Sequence, residues 1–141
     1  MDPIAFTIEL TGEAVELGEG RFWAETRGDD TAFGSNQALC RRDLRVDEDG
    51  SVAQSGEISF GDDDAITFRA HGRLGSSPDP RLRHGAAVFE VTGGRGRLEG
   101  ACGFVTSNFL LAADGELTDR HLAVLFVGEG FDRKEDLCVS S

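Results

Sequence analysis

The segment that decides the fold is Ala86-Ala-Val-Phe-Glu-Val-Thr-Gly-Gly-Arg-Gly-Arg-Leu-Glu-Gly-Ala-Cys-Gly-Phe-Val-Thr-Ser-Asn-Phe-Leu-Leu111. Its two ends, residues 86–92 and 104–111, are rich in residues that favour strands. Five glycines stand between them, at positions Gly93, Gly94, Gly96, Gly100 and Gly103. Glycine permits positive φ and close approach of neighbouring backbones, which is typical of a barrel corner. The segment therefore predicts two strands joined by a glycine-rich corner.

The stretch Gly94-Arg-Gly-Arg-Leu-Glu-Gly100 also has the outline of a dinucleotide-binding fingerprint. Its glycine spacing is one residue too long, and no amphipathic helix follows it. A phosphate cradle requires a helix N-terminus directly behind the glycines. We therefore expect no nucleotide cofactor, and no other cofactor motif is present.

Phe89-Glu-Val-Thr-Gly-Gly-Arg-Gly-Arg-Leu-Glu-Gly-Ala-Cys-Gly103 resembles the Phe-x-Ile-x-Gly-Gly-Thr-Gly-x-Phe-x-Gly-Ala-x-Gly segment of the allene oxide cyclase and dirigent-like barrel superfamily. Gly56-Glu-Ile-Ser-Phe60 and Ile66-Thr-Phe-Arg-Ala-His-Gly72 are similar to its preceding hairpin. The resemblance covers residues 51–127, with Arg95 in place of Thr and Leu98 in place of an aromatic residue. It implies an eight-stranded antiparallel β-barrel of calycin-type architecture, although fold transfers better than activity.

The rest of the chain also predicts an all-β protein, because helical periodicity is nearly absent and strand-like runs recur at short spacing. Thr11-Gly12 predicts a turn between strands at 4–10 and 14–17. The run 38–46 fits an edge strand, with a short helix as the alternative. The other runs are 21–27, 51–60, 65–74 and 117–127. We expect one domain over 1–141, with residues 1–3 and about 129–141 as loose or capping tails.

Composition excludes several classes of partner. The chain has 141 residues and a formal net charge of −12, so we expect neither nucleic acid nor an anionic membrane as partner. No signal peptide opens the chain, and no apolar run approaches the roughly 20 residues that span a bilayer. Three cysteines, Cys40, Cys102 and Cys138, match no redox or zinc motif and suggest free thiols in the cytoplasm.

Familiar catalytic and metal-binding motifs are absent. His71, His84 and His121 lie on or beside three different strands, and their spacing does not require convergence on a metal. Asp47-Glu-Asp-Gly-Ser51 imitates the start of a calcium loop, but Val52 and Ile58 occupy positions where glycine and glutamate are needed. We expect a solvated turn there and no bound metal.

The candidate site residues are polar or aromatic side chains on the predicted strands. A glutamate on the lumen side of an apolar barrel would be desolvated, which raises its pKa and suits it to proton transfer. Arginine, asparagine and histidine side chains there would orient a carbonyl or enolate oxygen. The predicted catalytic residues are Glu90, Asn108, His121 and Arg69. The predicted substrate-binding residues are Trp23, Glu25, Phe104, Phe109 and Phe68. Alternation alone leaves open which face of each strand lines the lumen.

The resemblance implies the class of function. Members of the superfamily are cofactor-free barrels whose apolar lumen folds a flexible, reactive substrate into one productive shape, which uses orientation more than strong acid or base chemistry. We therefore expect a cofactor-independent cyclase acting on a hydrophobic polyketide-like or lipid-derived intermediate, with 4+2 cyclisation among its candidate reactions. A non-enzymatic barrel that binds or guides a lipophilic ligand is the alternative, and a structural or interaction barrel with a filled lumen and no ligand is a third. Strands that are apolar on both faces also predict a homodimer or homotrimer.

Overall fold

The computed structural model describes residues 2–30 and 32–128, and eight antiparallel strands contain most of them. Each strand pairs with the next along the chain, and β8 pairs with β1 to close a barrel. This confirms the predicted fold. The strands are β1 Ile4–Gly18, β2 Arg21–Gly28, β3 Ala38–Val46, β4 Ser51–Phe60, β5 Asp64–Ser76, β6 Leu82–Arg95, β7 Cys102–Ala112 and β8 Glu116–Phe126. The predicted tail at 129–141 lies outside the described residues.

The first strand is longer than its sequence suggests. The predicted turn at Thr11-Gly12 is wrong, because β1 passes through it while Thr11 pairs with Arg27 and Gly12 with Thr26. Gly12 lies so close to β2 that a Cβ atom there would be 1.9 Å from the carbonyl oxygen of Glu25. Gly12 therefore allows β1 and β2 to pack closely within the barrel wall, and the chain does not turn there.

The glycine-rich corner forms as predicted. β6 extends to Arg95, a 3-10 turn covers Gly96–Leu98, and β7 begins at Cys102. Gly96, Gly100 and Gly103 have φ values of 66°, 76° and 132°, a region that favours glycine. The corner therefore depends on these glycines for its backbone conformation.

Strand β3 is not an edge strand, although its polar residues suggested one. It pairs with β2 on one side and with β4 on the other, because closure of the barrel leaves no free edge. Its exposed residues Arg41, Asp43 and Arg45 form part of the outer wall, whereas Arg42 faces inward and is 1% exposed. The predicted turn at Asp47–Ser51 is present, and Gly50 at φ 88° donates its N–H to the carbonyl of Asp47 at 3.0 Å.

The barrel interior has three layers. An upper apolar cluster contains Ala24, Leu44, Val52, Leu74, Phe109, Leu111 and Leu117. A larger lower apolar cluster is built around Leu10, Ile66, Phe89, Val105 and Leu125. Between them lies a polar layer of buried side chains: Thr26, Arg42, Gln54, Ser107, Asp119 and His121. The layering follows from strand alternation, because positions two residues apart on one strand face the same side.

Three phenylalanines, Phe6, Phe33 and Phe60, pack together and close the lower end of the barrel. Phe33, in the connection between β2 and β3, packs against Phe6 and Phe60 with ring centroids 5.5 and 4.7 Å away. Asp30 accepts hydrogen bonds from the backbone N–H groups of Phe33 and Ser35 at 3.0 and 3.1 Å, which orders this connection. These contacts hold Phe33 over the lower apolar cluster.

Arg97, in the glycine-rich corner, connects that corner to Phe33 at the lower end of the barrel. Its guanidinium donates to both the carboxylate of Asp64, at 2.7 Å, and the carbonyl oxygen of Phe33, at 2.6 Å. Hydrogen bonds from the Arg97 side chain and backbone hold the pKa of Asp64 below its usual value. The corner therefore helps to close the lower end.

One cysteine departs from the predicted free thiols. Cys40 is free and buried, whereas Cys102 is disulfide-bonded. The predicted cytoplasmic localisation relied on reduced thiols, and Cys102 removes that support. Cys138 lies outside the described residues. No helix in the described part of the chain is long and apolar enough to cross a bilayer.

We predict that Gly56→Ala destabilises the barrel by about 1–3 kcal/mol, because overpacking forces backbone shifts. Gly56 faces Arg42 across the β3–β4 ladder, and a Cβ atom there would be 2.0 Å from the carbonyl oxygen of Arg41. Urea unfolding measures the effect. Gly75→Ala is the matched control, because a Cβ atom at Gly75 meets nothing within 4 Å. Equal stability of the two variants would contradict the prediction.

Candidate functional site

The polar layer is centred on the carboxylate of Asp119, which is fully buried on β8. Its Oδ2 atom contacts Arg42 Nη2 at 2.7 Å and His121 Nε2 at 2.8 Å. Its Oδ1 atom accepts a hydrogen bond from Ser107 Oγ at 2.6 Å. One carboxylate thus holds a guanidinium, an imidazole and a hydroxyl from three strands of the barrel.

Charge compensation keeps Asp119 ionised. Burial by itself raises the pKa of a carboxyl group, but the charges of Arg42 and His121 and the hydrogen bonds from His121 and Ser107 outweigh it. The pKa of Asp119 therefore lies well below its ordinary value. Burial disfavours a charged Arg42 as well, but the nearby Cys40 and Asp119 raise the pKa of Arg42 and keep it protonated.

The order of these groups differs from that of a nucleophilic triad. In such a triad a histidine stands between the serine and the carboxylate, so that it removes the hydroxyl proton. Here the carboxylate of Asp119 stands between Ser107 and His121. Ser107 therefore donates to Asp119 and is not activated by His121, and the geometry favours proton transfer by His121 over acyl transfer through Ser107.

The ionised Asp119 also fixes the protonation pattern of His121. Because a carboxylate only accepts, the imidazole nitrogen that faces it, Nε2, carries the proton. In the neutral ring the other nitrogen, Nδ1, is then the base. The ring packs edge-on against Phe89 with centroids 5.0 Å apart, and Phe89 stacks on Phe68 at 4.3 Å. Aromatic packing and Asp119 together hold the ring in one orientation.

Among the described residues, four buried polar atoms of the polar layer have no hydrogen-bond partner: Thr26 Oγ1, Arg42 Nε, Arg42 Nη2 and Gln54 Nε2, of which Nη2 makes the ion pair with Asp119. Arg42 Nη1 donates to Gln54 Oε1 at 3.3 Å, which leaves Arg42 Nε and Gln54 Nε2 unsatisfied. Unpaired buried donors are costly, since a desolvated polar group loses its bonds to water. Both atoms are thus suited to donate to an oxygen atom of a bound molecule.

A groove of about 450 Å³ opens at the upper end of the barrel, and we call it the mouth. Its floor includes Ala14, Phe22 and Leu111, which belong to or pack against the upper apolar cluster, and Arg81 lies at its rim. From Leu111, strand β7 leads inward through Phe109 to Ser107 of the polar layer. A volume of this size is within the range of small-molecule sites.

Three predicted site residues lie inside the barrel. His121 belongs to the polar layer, Phe109 to the upper apolar cluster and Phe68 to the lower one. Their location inside the barrel does not test their predicted roles in catalysis and substrate binding, which stay predictions. Of the three, only His121 contacts the Asp119 carboxylate.

The other predicted catalytic residues lie on the outer wall. Strand alternation turns Arg69, Glu90 and Asn108 outward, because Phe68, Phe89 and Phe109 on the same strands fill the lumen. A lumenal role for these three polar side chains is therefore wrong.

The same alternation places three predicted substrate-binding residues outside. Trp23 and Glu25 alternate with the inward Ala24 and contact each other, with 3.4 Å between Trp23 Nε1 and Glu25 Oε1. Phe104 is 57% exposed. These three residues do not line the lumen, so their predicted contact with a lumenal substrate is wrong.

Phe104 belongs instead to an apolar patch on the outer wall. It pairs with Val124, and the neighbouring row contains Val88 and Leu122, all of them exposed. Such a patch is unusual on a monomer, which is why the sequence predicted an oligomer. Homo-oligomerisation stays a prediction.

The alternative of a three-histidine metal site has no support in the described residues. His71 and His84 are exposed on the outer wall, whereas His121 is buried inside. No cluster of three or more potential metal ligands occurs in residues 2–30 and 32–128.

No protein-family model matches the sequence, and no curated protein matches it. A search of solved structures finds similarity to the structure of a pterocarpan synthase dirigent protein, with a TM-score of 0.62 and 12% sequence identity. The match covers 93% of this chain and 89% of that protein. At this identity the likeness shows a dirigent-like barrel fold and nothing finer.

We predict that Arg42→Met and Asp119→Asn each destabilise the protein by about 3–5 kcal/mol, because each leaves one buried charge without its partner. The double variant removes both charges and keeps an acceptor for Ser107, so we expect it to be more stable than either single variant. Urea unfolding at neutral pH of the four proteins measures the coupling. Additive losses would contradict a dominant Arg42–Asp119 interaction.

We predict a loss of stability in acid that depends on Asp119. A carboxyl group whose pKa is lowered by folding stabilises the native state above its unfolded pKa of about 3.9, and this contribution is lost as pH falls toward the folded pKa. Unfolding measurements from about pH 6 to about pH 3 should show a shallower decline for the Arg42→Met/Asp119→Asn double variant than for the wild type. Parallel declines would contradict the prediction.

Proposed function

We propose that the protein is a cofactor-independent cyclase of the dirigent-like barrel type, which closes a ring in a hydrophobic polyketide-like or lipid-derived molecule. The observation that carries the proposal is His121, whose imidazole is oriented by an ionised carboxylate in a buried polar layer between two apolar clusters. A buried, oriented histidine is a common general acid and base near neutral pH. The solved barrel of similar fold is named as a pterocarpan synthase dirigent protein, so a synthase is known on this fold.

In the proposed reaction the substrate enters through the mouth and displaces the side chains of Leu111 and Phe109. Arg42 Nε and Gln54 Nε2 donate hydrogen bonds to a carbonyl oxygen of the substrate. His121 Nδ1 takes a proton from a hydroxyl or enol group as that group attacks an electrophilic carbon of the same molecule. The imidazolium then returns the proton to the oxygen that received the electrons, so the product is an isomer of the substrate.

The barrel contributes orientation as well as proton transfer. The apolar clusters above and below the polar layer exclude water and confine a flexible chain, which converts a search among conformers into one reactive geometry. The low dielectric of this interior strengthens the hydrogen bonds from Arg42 and Gln54 to developing negative charge. No resident cofactor is required, because a cyclisation of this kind transfers no net electrons.

A non-enzymatic barrel that binds or guides a lipophilic ligand is the second candidate. The mouth and the apolar layers support a ligand-binding barrel as well as they support a cyclase, whereas the Asp119–His121 pair favours catalysis. Turnover separates the two, because a binder saturates at one equivalent of ligand and an enzyme converts many.

We predict that His121→Phe lowers turnover by about 10²- to 10⁴-fold and retains ligand binding, because it removes the proton carrier but keeps an aromatic ring against Phe89. Turnover is measured by mass spectrometry on a panel of linear polyenes and poly-β-ketones. Binding is measured with Nile red, a neutral lipophilic dye. His84→Phe, on the outer wall, is the matched control and should change neither quantity.

Each outcome has a definite meaning. Dye binding without conversion of any panel member would favour the lipophilic binder over the cyclase. Equal turnover of the wild type and His121→Phe would overturn the role of His121. Absence of dye binding would mean that the lumen stays filled by its own side chains, and both candidates would fail. Leu111→Trp should block dye entry at the mouth, whereas Leu110→Trp, which faces outward on the same strand, should not.

A further inference from the structure

A second groove of about 450 Å³ lies on the outer wall, across strands β2, β3, β4 and β5, with Leu17 of β1 at its edge. Its floor is the small pair Ala53 and Ser55 on β4, which alternate with the inward Gln54. Longer side chains rise from the strands on either side. In one row of the sheet Arg45 pairs with Ala53 and Ala53 with His71, and in the next Asp43 pairs with Ser55 and Ser55 with Arg69.

The groove is cationic, although the protein carries a net charge of −12. Arg21, Arg45 and Arg69 line it together with His71, against the single carboxylate of Asp43. None of the three arginines lies within ion-pair distance of a carboxylate among residues 2–30 and 32–128. Six other exposed arginines of that part do form ion pairs: Arg27, Arg41, Arg81, Arg95, Arg97 and Arg120. Three of the five arginines of that part that form no ion pair therefore lie in this groove, and the other two, Arg73 and Arg83, lie outside it.

The arrangement of two of these arginines opposes stability. Arg21 on β2 stands directly opposite Arg45 on β3. Like charges at directly opposite positions of neighbouring antiparallel strands destabilise the pair, because their Cβ atoms are about 4.5–5.5 Å apart. A ligand with negative charge between the two guanidinium groups would convert this repulsion into attraction.

We propose that this groove is a binding site for the phosphate group of a small phosphate monoester. Arginine presents a planar fork of donors that matches phosphate oxygens, and several arginines around one phosphate add charge neutralisation to that geometry. A phosphate monoester carries about −1.5 to −2 charges at neutral pH, which compensates three guanidinium groups and one carboxylate better than a single carboxylate does. The phosphate rests above Ala53, where the absence of a long side chain leaves room for it.

The site is separate from the lumen. Arg45 faces outward on β3, whereas Arg42 and Leu44 face inward on the same strand. The proposal therefore does not depend on the cyclase activity, and failure of one leaves the other intact.

The test is a titration of the full-length, isotope-labelled protein with inorganic phosphate at constant ionic strength, followed by amide NMR shifts. We expect saturable shifts at Ala53 and Ser55, weakened about tenfold by Arg45→Ala and by Arg69→Ala, since each loses charge-assisted hydrogen bonds. Arg27→Ala is the matched control, because it removes an exposed positive charge from the same wall outside the groove. It should leave the affinity unchanged.

Four results would overturn the proposal. Shifts scattered over the surface, or an equal loss in Arg27→Ala, would mean non-specific screening of charge. Equal affinity for acetate and phosphate would contradict recognition of a dianion. Co-sedimentation with phosphatidic acid vesicles that depends on Arg45 would assign the groove to a lipid headgroup instead of a soluble phosphate monoester.

Discussion

The ion pair between Arg42 and Asp119 constrains the whole interior of the barrel. Two charges taken out of water are expensive, and their mutual attraction compensates only when geometry and further hydrogen bonds are favourable. Here Ser107, His121 and Gln54 supply those bonds, and each side chain comes from a strand that must hold its register for the contacts to form. The apolar clusters above and below the pair exclude the water that would otherwise weaken it. A central polar layer thereby specifies the arrangement of strands, and the apolar layers supply most of the burial.

Much of the architecture follows from the sequence because it depends on local rules. Alternation of apolar and polar residues defines the strands, and the glycines near Gly96 mark a corner that only their positive φ values permit. The turn expected at Thr11-Gly12 shows the limit of such rules. Glycine indicates either a turn or a close approach between strands, and only the position of the neighbouring strand decides between them.

The candidate site was harder to predict because alternation identifies two faces without saying which one is inside. Glu90 is next to Phe89 in the sequence, and Asn108 is next to Phe109, so either member of each pair could face the lumen. In the structure the two phenylalanines face the lumen, and Glu90 and Asn108 face outward. The residues that sequence reasoning missed, Arg42 and Asp119, do carry a signal. Arg42 shares its strand face with Cys40 and Leu44, and Asp119 shares its face with Leu117, His121 and Ala123, so that opposite charges occupy two faces that are otherwise mainly apolar. Such a combination indicates a buried ion pair, since an isolated buried charge would be too costly to retain.

Strand β3 connects the two candidate sites of the protein. A slip of one residue in its register would move every side chain to the opposite face, because the period of a strand is two. Arg41, Asp43 and Arg45 would then enter the lumen, and Arg42 would leave Asp119 without its cation. The shifted register would bury three charged side chains of β3, whereas the native register buries only Arg42, whose charge is paired with Asp119. The shifted register is therefore strongly disfavoured. The Arg42–Asp119 pair therefore fixes the register of β3, and by doing so it also determines which arginines form the outer groove. The interior chemistry and the exterior charge pattern are thus two consequences of one alignment.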